Sequence, residues 1–246
     1  MQSQNHKLIK TAVLACALAL GGIVTAQAGG PPTGAPGVFP PESRPYGKSY
    51  GEWSGLSAKF VMELPLAGNP GLDTNPIFDA SYGQAGPVWF LGAPLATFER
   101  WSRIPVGTAL FFVVLNSECS SLEPPESGFH GNTEAERRAC AKFWSDHIVN
   151  AFFVIDGAAV GNMGDYRFSS PQFEFDAPTP WIFGDTGGQG FSVADGYYVM
   201  VAPLSAGEHM IHLGGVFRFA AGELGPDPVD LTADVTYHLT VYSPGH

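Results

Sequence analysis

The sequence predicts a mainly β protein, an antiparallel β-sandwich of immunoglobulin-like or jelly-roll-like type with two short helices packed on it. Three observations lead there. Short apolar runs recur between turn signals. Gly and Pro number 31 and 21, while 14% of residues are charged and 13% aromatic. No long helical pattern separates the strand-like runs, as a parallel α/β sheet would require.

The chain opens with Lys7 and Lys10, an uncharged apolar run from Thr11 to Thr25, and the small-x-small signature Ala26-Gln27-Ala28. This pattern reads as an export signal at 1–28. The apolar run is too short for a membrane span, and no stop-transfer charges follow it. The expectation is an exported protein, periplasmic or extracellular, with no integral membrane segment after cleavage. Val13-Leu14-Ala15-Cys16 loosely resembles a lipoprotein processing site, but it lies close behind Lys10, and the signature ending at Ala28 is the better cleavage site. Cleavage there removes Cys16, so Cys119 and Cys140 become the only partners for each other in an oxidising compartment, and a disulfide between them is predicted. Removing the two signal lysines from 12 basic residues leaves 10 against 23 acids, a balance of −13. That charge argues against nucleic acid and anionic membrane surfaces as partners.

Residues 29–45 are rich in Gly and Pro and read as a flexible lead, followed by a single domain over 46–246. Ser49-Tyr50-Gly51-Glu52 matches a capping box. Trp53, Leu56 and Phe60 then recur at helical spacing, so a helix should begin at Ser49 and stop before Pro65. Pro87 to Leu91 reads as a short buried strand. Thr108 to Leu115, apolar throughout, reads as a strand covered on both faces. The excursion between the cysteines starts polar and turn-rich. A second helix then follows, capped by Asn132 or Thr133, with Cys140, Phe143, Trp144 and His147 on one face. Further strands are predicted over Ala151–Ile155, Ala158–Val160, Tyr197–Ala202, Glu208–Leu213 and Asp234–Tyr242, with a turn at Asp156-Gly157.

Several motifs have ordinary structural readings. Gly47-Lys48-Ser49-Tyr50-Gly51 is a literal Gly-x-Ser-x-Gly, but the strand that a nucleophile elbow needs before its serine is missing, so Ser49 is better explained as a helix cap. Gly47-Lys48-Ser49 also resembles the end of a phosphate-binding loop, yet Glu42 stands where that loop requires glycine. His209 and His212, three apart in a strand, point to opposite faces, and His238 fits a core or sheet-surface histidine. No metal site and no cofactor are expected.

Asn116-Ser117-Glu118, at the end of the long strand, is the most interesting polar cluster. A rigid strand there delivers an amide and a carboxylate to a sheet edge, where Glu118 could act as a general acid or base. Its structural counterpart is a turn-bonded Asn116 beside a solvated Glu118. His130, inside the excursion, could approach the same region. Trp101 and Trp181 sit in polar or proline-flanked contexts and are candidate platforms for stacking on a sugar ring.

Three segments carry a resemblance: Tyr46 to Ser54 (YGKSYGEWS), Gly83 to Gly92 (GQAGPVWFLG) and Ile104 to Glu118 (IPVGTALFFVVLNSE). Together they resemble a family of small exported bacterial proteins with no assigned biochemical activity. The resemblance implies export and a single folded unit, and it supplies no catalytic residues. In that family additional cysteines often precede the second and third segments. Ser81 and Ser102 stand in those neighbourhoods here, which fits the loss of one whole disulfide.

Two functions from different classes follow. The first is a non-catalytic exported sandwich that binds an extracellular glycan, a surface component or a protein partner. The second is a secreted hydrolase or lyase acting on an extracellular polymer, with Glu118 as general acid or base and Asn116 or His130 assisting.

Overall fold

The structure is a computed structural model that describes residue 35 and residues 37–243. The expected export signal and Cys16 lie outside the described residues. Among the described residues ten strands form two five-stranded sheets packed face to face. Sheet 1 runs β1 (Val88–Leu91), β3 (Ala109–Ser120), β8 (Gly188–Val201) and β6 (Arg167–Ser169), with β7 (Phe173–Ala177) pairing another stretch of β8. Sheet 2 runs β2 (Thr97–Pro105), β10 (Val229–Tyr242), β9 (Gly207–Phe219), β4 (Ile148–Ile155) and β5 (Ala158–Ala159).

The mainly β sandwich with two helices is as predicted, but the sheets are mixed rather than wholly antiparallel. β1 pairs with β3 in parallel, and β2 pairs with β10 in parallel. Parallel neighbours need a crossover connection. For β1 and β3 that crossover is β2 itself, which lies in the opposite sheet. The core between the sheets is aromatic and aliphatic, with Phe112 set edge-on to Phe153 at 5.3 Å and to Tyr237 at 5.5 Å.

Helix α1 spans Tyr50–Glu63. Its capping box is complete: the Glu52 amide donates to Ser49 Oγ, and the Ser49 amide donates to the Glu52 carboxylate at 2.7 Å. The helix lies on the outer face of sheet 1, touching β3, β6, β7 and β8. Both glycines of the Gly-x-Ser-x-Gly string have structural reasons. Gly47 adopts φ +80°, and a Cβ on Gly51 would stand 2.8 Å from the Ser169 carbonyl oxygen. A 3-10 turn, Pro45–Gly47, precedes the serine in place of a strand.

The lead expected to be flexible is docked over its described part. Ala35 is buried, Val38 bridges to Val201, and the Tyr50 hydroxyl donates to the Phe39 carbonyl at 2.7 Å. Trp53 Nε1 donates to the Pro45 carbonyl at 3.0 Å. Buried aromatic donors on α1 thus recruit carbonyls from a segment that has few core-forming side chains of its own.

Helix α2 spans Glu134–Asp146, with a capping box from Thr133 to Glu136. It packs on β3 and β8, and Cys140 is disulfide-bonded to Cys119 at the end of β3. The buried positions are Arg137, Ala141 and Ser145, one turn apart, so the covered stripe is rotated from the expected one and Phe143 is left exposed. Trp144 stacks on Phe129 at 4.4 Å beside that stripe.

A one-residue irregularity at Val114 decides where the polar end of β3 points. Val113 pairs with Tyr198 and Leu115 pairs with Tyr197, leaving Val114 without an opposite number. Residues directly across a ladder share a face. Phe111, Val113, Asn116 and Glu118 therefore face α1, whereas Leu115, Ser117 and Cys119 face the other sheet and α2.

Candidate functional site

The outer face of sheet 2 is open, and the parallel pairing of β2 with β10 builds its most distinctive feature. Trp101 registers with His238, which registers with Met210 of β9. The Trp101 and His238 rings stack at 4.6 Å with 9° between their planes, and His238 Nε2 donates to Glu99 at 3.0 Å. Trp101 remains 43% exposed and Met210 45%. The neighbouring rungs are polar. One carries Glu99, Thr236 and His212, with His212 Nε2 donating to Asp234 at 2.6 Å. The other carries Arg103, Thr240 and Glu208, with the Thr240 hydroxyl donating to Glu208 at 3.0 Å. The result is an aromatic row about 10 Å across from β2 to β9 at ~4.8 Å per strand, edged by hydrogen-bonding groups in which carboxylates outnumber fixed cations.

Trp181, the other stacking candidate, is buried, and its expected exposure is corrected. It packs with Ala58, Met62 and Phe175 in a cluster beneath α1. No face of its indole is open to a sugar ring.

Asn116, Glu118 and His130 do not converge on one pocket. Glu118 is buried, and its Oε2 accepts from the Ser192 hydroxyl at 2.6 Å. The sharp turn after β3, in which the Leu122 and Glu123 amides donate to Ser120 Oγ, returns Glu123 beneath it. The two buried carboxyl groups lie within hydrogen-bonding reach of each other. Burial pushes both carboxyls above the ordinary range, and the facing Glu118 carboxylate raises Glu123 further. Glu123 Oε1 is sealed from solvent and has no N–H or hydroxyl donor among the described residues. The pair thus has the geometry to hold one proton between two oxygens.

Asn116 faces the buried Tyr198 hydroxyl. His130 reaches the backbone of the excursion, with Nδ1 donating to the Glu123 carbonyl at 2.6 Å. It orders the turn and does not touch either carboxyl group. The expected solvated Glu118 is corrected as well, because the phase set at Val114 turns it under α1. Among the described residues no three His, Cys, Asp or Glu side chains converge as metal ligands.

Sequence reasoning missed β2 and Glu123. The signal for β2 was present: Phe98, Arg100, Ser102 and Ile104 alternate with Glu99, Trp101 and Arg103, a period of two hidden by two inward polar residues. Arg100 is fully buried, its guanidinium 3.9 Å from the Phe78 ring centroid and 3.5 Å from Asp73. Ser102 Oγ donates to the Phe78 carbonyl and accepts from the Ala80 amide, which places it beside Ser81. Nothing local in the sequence marks Glu123, whose role depends on the turn.

Fold and surface together define a mainly β sandwich of two mixed sheets, one outer face covered by a helix and the other open and carrying an aromatic row. No protein-family model matches the chain, and no curated protein or solved structure is significantly similar to it.

Proposed function

We propose that the protein is an exported, non-catalytic sandwich that binds a neutral glycan on the outer face of sheet 2. The stacked Trp101–His238 pair carries this reading. An exposed indole held at a fixed angle offers a flat apolar face to a sugar ring, and Glu99, Thr236 and Thr240 stand where ring hydroxyls would need partners. The acidic excess on this face favours neutral sugars over uronic or sulfated ones. The export signal read in the sequence agrees with an extracellular polymer as the partner.

The alternative, acid–base catalysis by Glu118, has less support. That carboxyl is covered by the fold and stands beside a second buried carboxyl, so a polymer has no path to it.

A panel of neutral and acidic oligosaccharides, screened on an array and followed by calorimetry, tests the proposal. At least one neutral glycan should bind, and Trp101→Ala should weaken it at least tenfold. Absence of any neutral binder, or unchanged affinity in Trp101→Ala, overturns the reading.

A further inference from the structure

A second site lies between the sheets, away from the open face. A cavity of about 220 Å³ is walled by Leu115 of β3, Phe217 of β9 and Val235 of β10, and Trp144 of α2 and Phe129 close one side. Leu95, in the segment joining β1 to β2, also lines it and is 38% exposed, so the cavity reaches the surface there. Among the described residues no charged side chain lines it. For scale, an enclosed apolar cavity of ~150 Å³ accommodates benzene. By that ratio this cavity takes about nine non-hydrogen atoms.

One lining residue does not fit a purely structural wall. Ser117 is buried, faces the inter-sheet space after the phase change at Val114, and its hydroxyl has no hydrogen-bond partner among the described residues. Buried hydroxyls in folded proteins nearly always have one. A ligand carbonyl or hydroxyl seated against this wall would supply the missing partner. A carboxylate or ammonium would be desolvated there without a counter-ion, which excludes charged ligands.

We propose that this inter-sheet cavity is a binding site for a small neutral molecule, mostly aliphatic, with a single carbonyl or hydroxyl group that pairs with Ser117. The size and chemistry match an eight-carbon ketone or alcohol. The site is separate from the aromatic row, and binding at one is independent of the other.

The probe is 2-octanone, which has nine non-hydrogen atoms, titrated into the full chain by calorimetry and by amide chemical-shift mapping. Saturable one-to-one binding is expected, with shifts centred on Ser117 and Val235, and octanoate should bind at least tenfold more weakly. Ser117→Ala should weaken 2-octanone about fivefold to tenfold, the scale of one buried hydrogen bond. Leu95→Trp, at the exposed rim, should slow or block uptake, while Trp101→Ala should leave it unchanged. No saturable binding of 2-octanone, shifts centred elsewhere, or equal affinity for octanoate overturns the proposal. Because shift mapping uses the parent chain, the result does not depend on whether a variant folds.

Discussion

The two outer sheet faces contrast sharply in how they treat their acids. On sheet 1, helix α1 covers the surface, and Glu118 and Glu123 are buried against each other with hydroxyl partners but no cation. On sheet 2 no helix among the described residues covers the face, and Glu99, Asp234 and Glu208 are solvent-accessible, bonded to His238, His212 and Thr240. The same side-chain type is therefore a source of pH-dependent instability on one face and a near-neutral surface group on the other. Carboxylates cost little where water solvates them and are neutralised where it does not. An open face can consequently carry polar groups at small cost to stability, whereas the covered face keeps its acids beneath a helix that packs on β3 and β8.

The largest effect that would break this contrast is loss of the staple holding the end of β3 to α2. Cys119 and Cys140 are 21 apart in sequence, and replacing both with alanine should cost about 3 kcal/mol in denaturant unfolding, by the loop-entropy scale. Glycan binding at the open face should survive under native conditions.

Next is the buried pair. Its folded carboxyls titrate above their ordinary value of 4.5, so the native state keeps a proton that the unfolded chain releases. This contribution is fully present below about pH 4.5 and is lost as the pH rises toward the folded values, with a slope of up to ~1.4 kcal/mol per pH unit for each proton. Urea unfolding between pH 5 and 8 should show falling stability in the parent and a flatter profile in Glu118→Gln. By pH 8 the variant should be the more stable by roughly 1–3 kcal/mol. A parent profile that rises over this range would remove the shared-proton account.

Smaller is the cap of the covering helix. Ser49→Ala removes the acceptor for the Glu52 amide and should cost about 1 kcal/mol, measured by thermal or chemical unfolding. Unchanged stability would mean that the box contributes nothing. The smallest effect belongs to the open face. Glu99→Gln weakens an exposed pair with His238 and should change stability by less than ~0.5 kcal/mol. It should still lower glycan affinity, which separates recognition from folding.

Both helices were legible because their signals are local. Each capping box links residues three apart, and the strand-like runs over Val88–Leu91, Ala151–Ile155 and Asp234–Tyr242 announce themselves by composition. β2 was not, because Arg100 and Ser102 occupy inward positions that a hydrophobicity pattern assigns to solvent. Their burial is permitted only by distant partners: the Phe78 ring and Asp73 for the arginine, and the Phe78 and Ala80 backbone for the serine. Of the site residues, Trp101 was readable as an aromatic in a polar setting. Trp181 had the same sequence character and the opposite fate.

The sequence by itself determined the short-range features: where the first helix starts and, to within a residue, the second, that the protein is mainly β, and which cysteines pair. These rest on hydrogen bonds within one turn, on residue type, and on elimination. Only the tertiary structure decided the parallel pairings, the phase of β3 after Val114, the burial of Glu118 with Glu123, and the meeting of Trp101 with His238. Each joins residues whose contact depends on which strands become neighbours and in what register. A one-residue shift in that register turns a side chain from water to core, and no local pattern records it.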